Sequence, residues 1–152
     1  MTDPIRLLLA DDQQMVRAGF RLVLDAQPDM SVVGEANDGA EALQLVDELA
    51  PDVVLMDIRM PVLDGLGATE KIMTSHPEAK ILVLTTFDLD EYVHSALRAG
   101  ASGFMLKDAG PTELLAAIRA VRDGDSVVAP SATRRLIERF IPRQGEGAAT
   151  IT

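Results

Sequence analysis

Two apolar runs that each end in carboxylates constrain this chain more than any other feature. Val53, Val54, Leu55 and Met56 lie uninterrupted between Pro51 and Pro61, the pattern of a central parallel strand covered on both faces, and Asp57 closes the run. A carboxylate so placed belongs to the carboxyl end of a strand. Far upstream, Ile5 to Asp12 reads IRLLLADD, again an apolar run, stopped here by Asp11 and Asp12. If the two strands are neighbours, three acids meet at one point.

Whether they are neighbours depends on the fold, and a repeat along the chain speaks to it. Apolar strand-like runs begin near Ile5, Ser31, Asp52, Lys80 and Gly103, each followed by an amphipathic helical pattern, which makes five strand-helix units. Val16, Phe20, Val23 and Leu24 share one helical face, as do Leu43 with Val46, Val93 with Leu97, and Leu114 with Ile118 and Val121. Asp38 with Glu41, and Asp88 with Glu91, have capping-box spacing, Pro111 suits a first helical turn, and Gly100 suits a helix stop. Alternating strands and helices with short loops imply an open parallel sheet with right-handed crossovers. The expectation is α/β, a flavodoxin-like doubly wound five-stranded sheet of order 2-1-3-4-5 with helices on both faces. In that order ligands bind outside the strand ends between strands 1 and 3, and those are the two strands that end in acids.

Composition narrows the classes. A chain of 152 residues, 47% hydrophobic, buries one domain's core. No stretch approaches the roughly 18 consecutive apolar residues of a membrane span, and acids interrupt the amino terminus where a signal peptide would continue its apolar core, so a cytoplasmic protein without membrane contact is expected. With no cysteine there is no disulfide or cysteine zinc site, and His76 and His94 read as helix-surface residues. The formal charge is -10; residues 130–152 carry a net of +2, which leaves -12 on residues 1–129. Such a body repels nucleic acid. In the tail, Pro130 to Ile141 reads as a short amphipathic helix ended by Pro142, and the glycine-containing stretch after it reads as linker.

Three carboxylates about 5 Å apart repel by about 3 kcal/mol per pair at an effective dielectric near 20, so the cluster calls for protons or a cation. Oxygen-only ligands favour a hard ion, and Mg2+ fits best because it keeps several waters and takes one or two carboxylates plus phosphate oxygens. Two more strand ends deliver chemistry: Lys80 to Leu84 leads to Thr85, and Gly103 to Leu106 leads to Lys107. A hydroxyl and an ammonium beside a metal-bound carboxylate make a receptor for a phosphoryl group, with Asp57 as nucleophile. Taken singly, a Thr or Lys at a strand end is usually surface, and an Asp is often a helix cap. Five such coincidences on four strands are harder to dismiss.

These residues resemble a known family. The segments LLLADDQQMVRAGFRLVL, VVGEANDGAEAL, PDVVLMDIRMPVLDG, ILVLTTFDLDEYVHSALRAGASGFMLKDA and LLAAIRAVRDGD, in that order, are similar to the receiver domain of two-component response regulators, in particular the NarL/FixJ (LuxR-type) transcriptional subgroup. The resemblance spans residues 4 to about 125. It implies that Asp57 is the phosphoacceptor, that Asp12 binds Mg2+ directly and Asp11 through water, and that Arg59 offers its backbone carbonyl to the metal. It further implies that Thr85, with Thr86 beside it, is the switch hydroxyl, Lys107 the phosphate-binding lysine and Phe104 the switch aromatic. Two positions depart from the common pattern: Asp108 follows Lys107 where many receivers have proline, and Phe104 lacks the hydroxyl of the tyrosine often found there.

By the same resemblance, residues 1–125 form the receiver, and 126–152 form a C-terminal helix and linker toward a helix-turn-helix domain absent from these residues. A sensor histidine kinase is the implied partner, with homodimer formation on phosphorylation through the first helix (Gln13 to Ala26) and the fifth (Pro111 to Arg122), or through the face made by the fourth helix, the fifth strand and the fifth helix. Contact with DNA would come only through the absent domain. Three rivals stay open: a nucleotide-binding flavodoxin-like module, although its phosphate loop would be glycine- and hydroxyl-rich where this chain has ADDQQ; an aspartyl hydrolase, although it would want an acid at position 59; and a receiver that acts unphosphorylated.

Overall fold

The unbroken apolar runs form strands buried along their whole length, β3 (Val53–Asp57) and β4 (Ile81–Thr85), as strands covered on both faces require. The structure, a computed structural model, describes residues 3–86, 90–125 and 127–128, with backbone alone for 90–93 and 127–128. The remaining elements are β1 (Ile5–Ala10), α1 (Gln14–Asp25), β2 (Met30–Ala36), α2 (Gly39–Leu49), α3 (Gly65–Ser75), α4 (Asp90–Arg98), β5 (Gly103–Leu106), α5 (Pro111–Arg122) and β6 (Val127–Val128). All strand pairs are parallel, in the order β2-β1-β3-β4-β5-β6.

The expected order 2-1-3-4-5 is present, with one addition. β6 pairs with β5 through Gly103–Val127 and Phe104–Val128, and two residues are too few to show a period in sequence. Val127 and Val128 lie just past residue 125, where the sequence reading ended the domain. The expected helix from Pro130 to Ile141, the linker after it and the Asp88 cap lie outside the described residues.

Alternation along the strands makes two cores. Leu8, Val54, Met56, Ile81, Val83 and Phe104 face Ala42 and Val46 of α2, Ala68 and Ile72 of α3, and Ala96 of α4. Leu7, Leu9, Val53, Leu55, Leu82, Leu84 and Met105 face Leu24 of α1 and Leu114, Ile118 and Val121 of α5. Each fully buried aliphatic or aromatic side chain contributes about 1.5–3 kcal/mol, so the sheet positions are held firmly.

Helix ends follow the sequence cues. Asp38 caps α2 by accepting from Glu41 N at 2.8 Å, while Glu41 Oε1 accepts from Asn37 N at 2.7 Å, one residue earlier than a reciprocal box would place it. Pro111 opens α5. Gly100, at φ 103°, stops α4: its N–H donates to Leu97 O and the next N–H, of Ala101, donates to Ala96 O, the paired bonds of a Schellman end.

Candidate functional site

Strand register brings the site together. Ala10 pairs with Met56, so Asp11 leaves β1 beside Asp57 at the end of β3. Asp57 in turn pairs with Leu84, which puts Thr85 one step further along β4, and Thr85 pairs with Leu106, which puts Lys107 one step beyond β5. A main-chain bond from Lys107 N to Thr85 O at 2.7 Å ties the last two together. One carboxylate oxygen from each of Asp11, Asp12 and Asp57 falls within 4.8 Å of the others.

Asp11 and Asp57 are buried and Asp12 is exposed at the mouth. Lys107 Nζ lies 2.6 Å from Asp11 Oδ2 and 3.2 Å from Asp57 Oδ1. Three carboxylates against one ammonium leave a net charge of -2. Asp11 Oδ1 accepts from Gln13 N at 2.9 Å, whereas the buried Oδ2 has the ammonium at ion-pair distance but no well-directed donor among the described residues. An under-satisfied carboxylate oxygen and a charge deficit of two are what a hard divalent cation corrects.

Burial pushes the Asp57 carboxyl up to about 6, the Asp11 charge adds to the rise, and Lys107 opposes it. For Lys107, burial works against the ammonium, yet the Asp11 and Asp57 carboxylates outweigh it and hold the amine above its ordinary value.

Thr85 is buried at the strand end and Thr86 beside it is exposed. Arg59 is exposed and, with Asp12, Met60 and Asp64, lines an open cleft of about 480 Å³ next to the acids. Phe104 is fully buried in the core on the α2, α3 and α4 side. The sequence reading missed Arg17 and Glu35, which brace the loop carrying Asp11. The available signal was Arg17 itself, a charge seven residues before Leu24 on the inward face of α1.

Acids, a hydroxyl and a lysine at the strand ends of such a sheet define a receiver-type signalling domain, and comparison with known proteins agrees. The response regulator receiver domain family matches residues 7–119, and the chain belongs to that family. It is 48% identical over 143 residues to the uncharacterized transcriptional regulatory protein YxjL of Bacillus subtilis, a match covering 93% of this chain and 66% of that protein. A solved LuxR-family two-component response regulator from Aurantimonas sp. superposes with a TM-score of 0.87 at 34% identity, over 91% of this chain and 99% of that one. The NarL signal receiver domain of Mycobacterium tuberculosis superposes at 0.78 with 35% identity, over 81% and 99%. The chain is thus the receiver domain of a NarL/LuxR-type response regulator, regulatory in role rather than catalytic. It spans about two thirds of the length of its curated relative YxjL.

Proposed function

We propose that this domain accepts a phosphoryl group on Asp57 from the phosphohistidine of a sensor histidine kinase, in a reaction that needs Mg2+. The register that places Asp11, Asp12, Asp57, Thr85 and Lys107 at one switch point carries the reading. Asp12 would bind the ion directly, Asp11 through water, and Asp57 and the Arg59 carbonyl would complete the protein's share. The ion, when bound, neutralises charge on the transferring phosphoryl group.

The chain's own residues then do the following. With its carboxyl up at about 6, Asp57 is ionised at neutral pH yet more basic than an ordinary aspartate, which suits a nucleophile. Its oxygen attacks phosphorus in line, the P–N bond to the donor's imidazole breaks, and the electron pair returns to that ring nitrogen. Lys107, already beside Asp57, moves onto the phosphoryl oxygens, which removes its hold on Asp11. The Thr85 hydroxyl donates to the same group. Water later attacks phosphorus and releases phosphate, so the signal decays.

Because Lys107 N is bonded to Thr85 O, movement at either strand end is felt at the other. Thr85, Thr86 and Phe104 form the switch that biases the β4–α4 side between two arrangements. Homodimer formation follows, and transcription is controlled through a helix-turn-helix domain outside these 152 residues. The domain would act in the cytoplasm, beside the kinase that supplies the phosphoryl group; no helix among the described residues is long and apolar enough to cross a membrane.

Incubation with acetyl phosphate and Mg2+ tests the core of this reading. Intact mass should rise by one phosphoryl group in the native protein and not in Asp57→Asn. The same gain in the variant moves the acceptor elsewhere, and no gain in the native protein leaves a receiver that acts unphosphorylated.

A further inference from the structure

The loop between β1 and α1 carries both Asp11 and Asp12, and a buried arginine braces it. Arg17 is only 7% exposed. A guanidinium in that position is tolerated only when its donors are used. Its Nε donates to Glu35 Oε1 at 2.8 Å, and its Nη1 donates to the main-chain carbonyl of Asp11. Glu35 lies near the end of β2, and its second oxygen accepts from Arg21 Nη1 at 2.6 Å, one turn further along α1. Arg17 thus spans from a neighbouring strand to the residue that opens the acidic loop.

Two further bonds fix the same loop: Asp11 N donates to Ala36 O at 3.0 Å, and Asp11 Oδ1 accepts from Gln13 N at 2.9 Å. With its main chain held on both sides and one carboxylate oxygen engaged, Asp11 has a single oxygen left to present to the site. Of the bonds to the Asp11 main chain and Oδ1 named here, that from Arg17 alone has a charged donor. Charge-assisted bonds are the stronger kind and the planar fork fixes direction as well as distance.

We propose that Arg17, anchored by Glu35, is a positioning residue for the divalent-cation site: it holds the Asp11 carbonyl and so sets the angle at which Asp11 and Asp12 offer their carboxylates to Mg2+. The inference rests on the magnesium reading above. The Arg17 bond also holds the Glu35 carboxyl below the usual glutamate range, so the anchor stays ionised at neutral pH.

The test is a Mg2+ titration of the native protein, Arg17→Gln, Arg17→Lys and Glu35→Gln, followed by backbone amide NMR shifts, with the acetyl phosphate rate at saturating Mg2+ as a second readout. Arg17→Gln and Glu35→Gln should each weaken Mg2+ binding by about 10-fold or more. Their rates at saturating Mg2+ should stay within a few-fold of native. Arg17→Lys should remain weak, because one ammonium cannot serve the carbonyl and the carboxylate as the fork does.

Glu35 lies near the strand end with its side chain partly exposed, so Glu35→Gln is expected to fold even if an Arg17 variant does not. Unchanged Mg2+ affinity in folded Glu35→Gln and Arg17→Gln overturns the proposal, as does full affinity in Arg17→Lys. A native protein that binds no Mg2+ overturns the magnesium reading and this inference with it. That result is distinct from native and variant proteins that bind alike.

Discussion

At Asp57, burial and charge oppose ionisation. Its folded pKa of about 6 lies above the unfolded value of 3.8, so the folded state holds the proton more tightly and the ionised carboxylate destabilises the fold. The penalty is absent below about pH 4 and complete above about pH 6. With chelator present, Asp57→Asn should be more stable than the native protein at about pH 7.5 by on the order of 1–2 kcal/mol, solvent at the mouth screening part of the shift. The gap should close as pH falls. Urea midpoints at the two ends of that range check it, and an equal gap at both contradicts the assignment. A second residue under strain is Val62, β-branched, 82% exposed and at φ 71°. Left-handed backbone is unfavourable for valine, and no packing is lost by replacing so exposed a side chain. Val62→Asn should stabilise by about 1 kcal/mol, which calorimetry would read as a rise of a few degrees in Tm.

The entrance to α3 packs against the end of β3, where Asp57 is the proposed acceptor. Gly65 N donates to Ile58 O at 2.8 Å, and a Cβ at Gly65 would sit 1.9 Å from the Asp57 carbonyl oxygen. Gly65→Ala must therefore displace α3 from the end of β3. The expected outcome is a destabilisation of about 2 kcal/mol or more and a loss of acetyl phosphate reactivity larger than the loss of fold accounts for. Denaturant titration beside single-turnover phosphorylation separates the two; native reactivity in the folded variant would show that α3 entry does not set the acceptor. At the far end of the same helix, His76 caps α3 and its ring lies 2.5 Å from Asp47 of α2. The Asp47 carboxylate holds the imidazolium above its ordinary value. The expectation of a helix-surface histidine was right as to place and silent as to partner, because Asp47 lies 29 residues away in the chain.

For the whole molecule, the proposed phosphorylation carries a further proposal, assembly into a dimer. Met15 and Leu22, 88% and 77% exposed, leave apolar surface on the outer side of α1, which supports α1 with α5 as the pairing face. Sedimentation with and without beryllofluoride, an aspartyl-phosphate mimic, should show a monomer that becomes a dimer. A monomer in both states ends the dimer proposal, and a dimer in both moves the interface to a surface independent of phosphate, for which the apolar residues between Pro130 and Ile141 are the competitor.

Much of the fold was legible because its cues are local. Apolar runs closed by Asp11, Asp57, Thr85 and Lys107 mark strand ends from neighbouring residues alone, and Asp38, Pro111 and Gly100 mark helix ends within one turn. Those positions, and the parallel class they imply, the sequence determined by itself. What it did not show is set between distant segments. The pairing of Ala10 with Met56 and of Thr85 with Leu106, the Lys107 ammonium between two acids, the addition of Val127 and Val128 to the sheet edge, and the burial of Arg17 against Glu35 all depend on register and packing. Register is chosen by the summed burial of both sheet faces, a property of the whole chain that no short window contains.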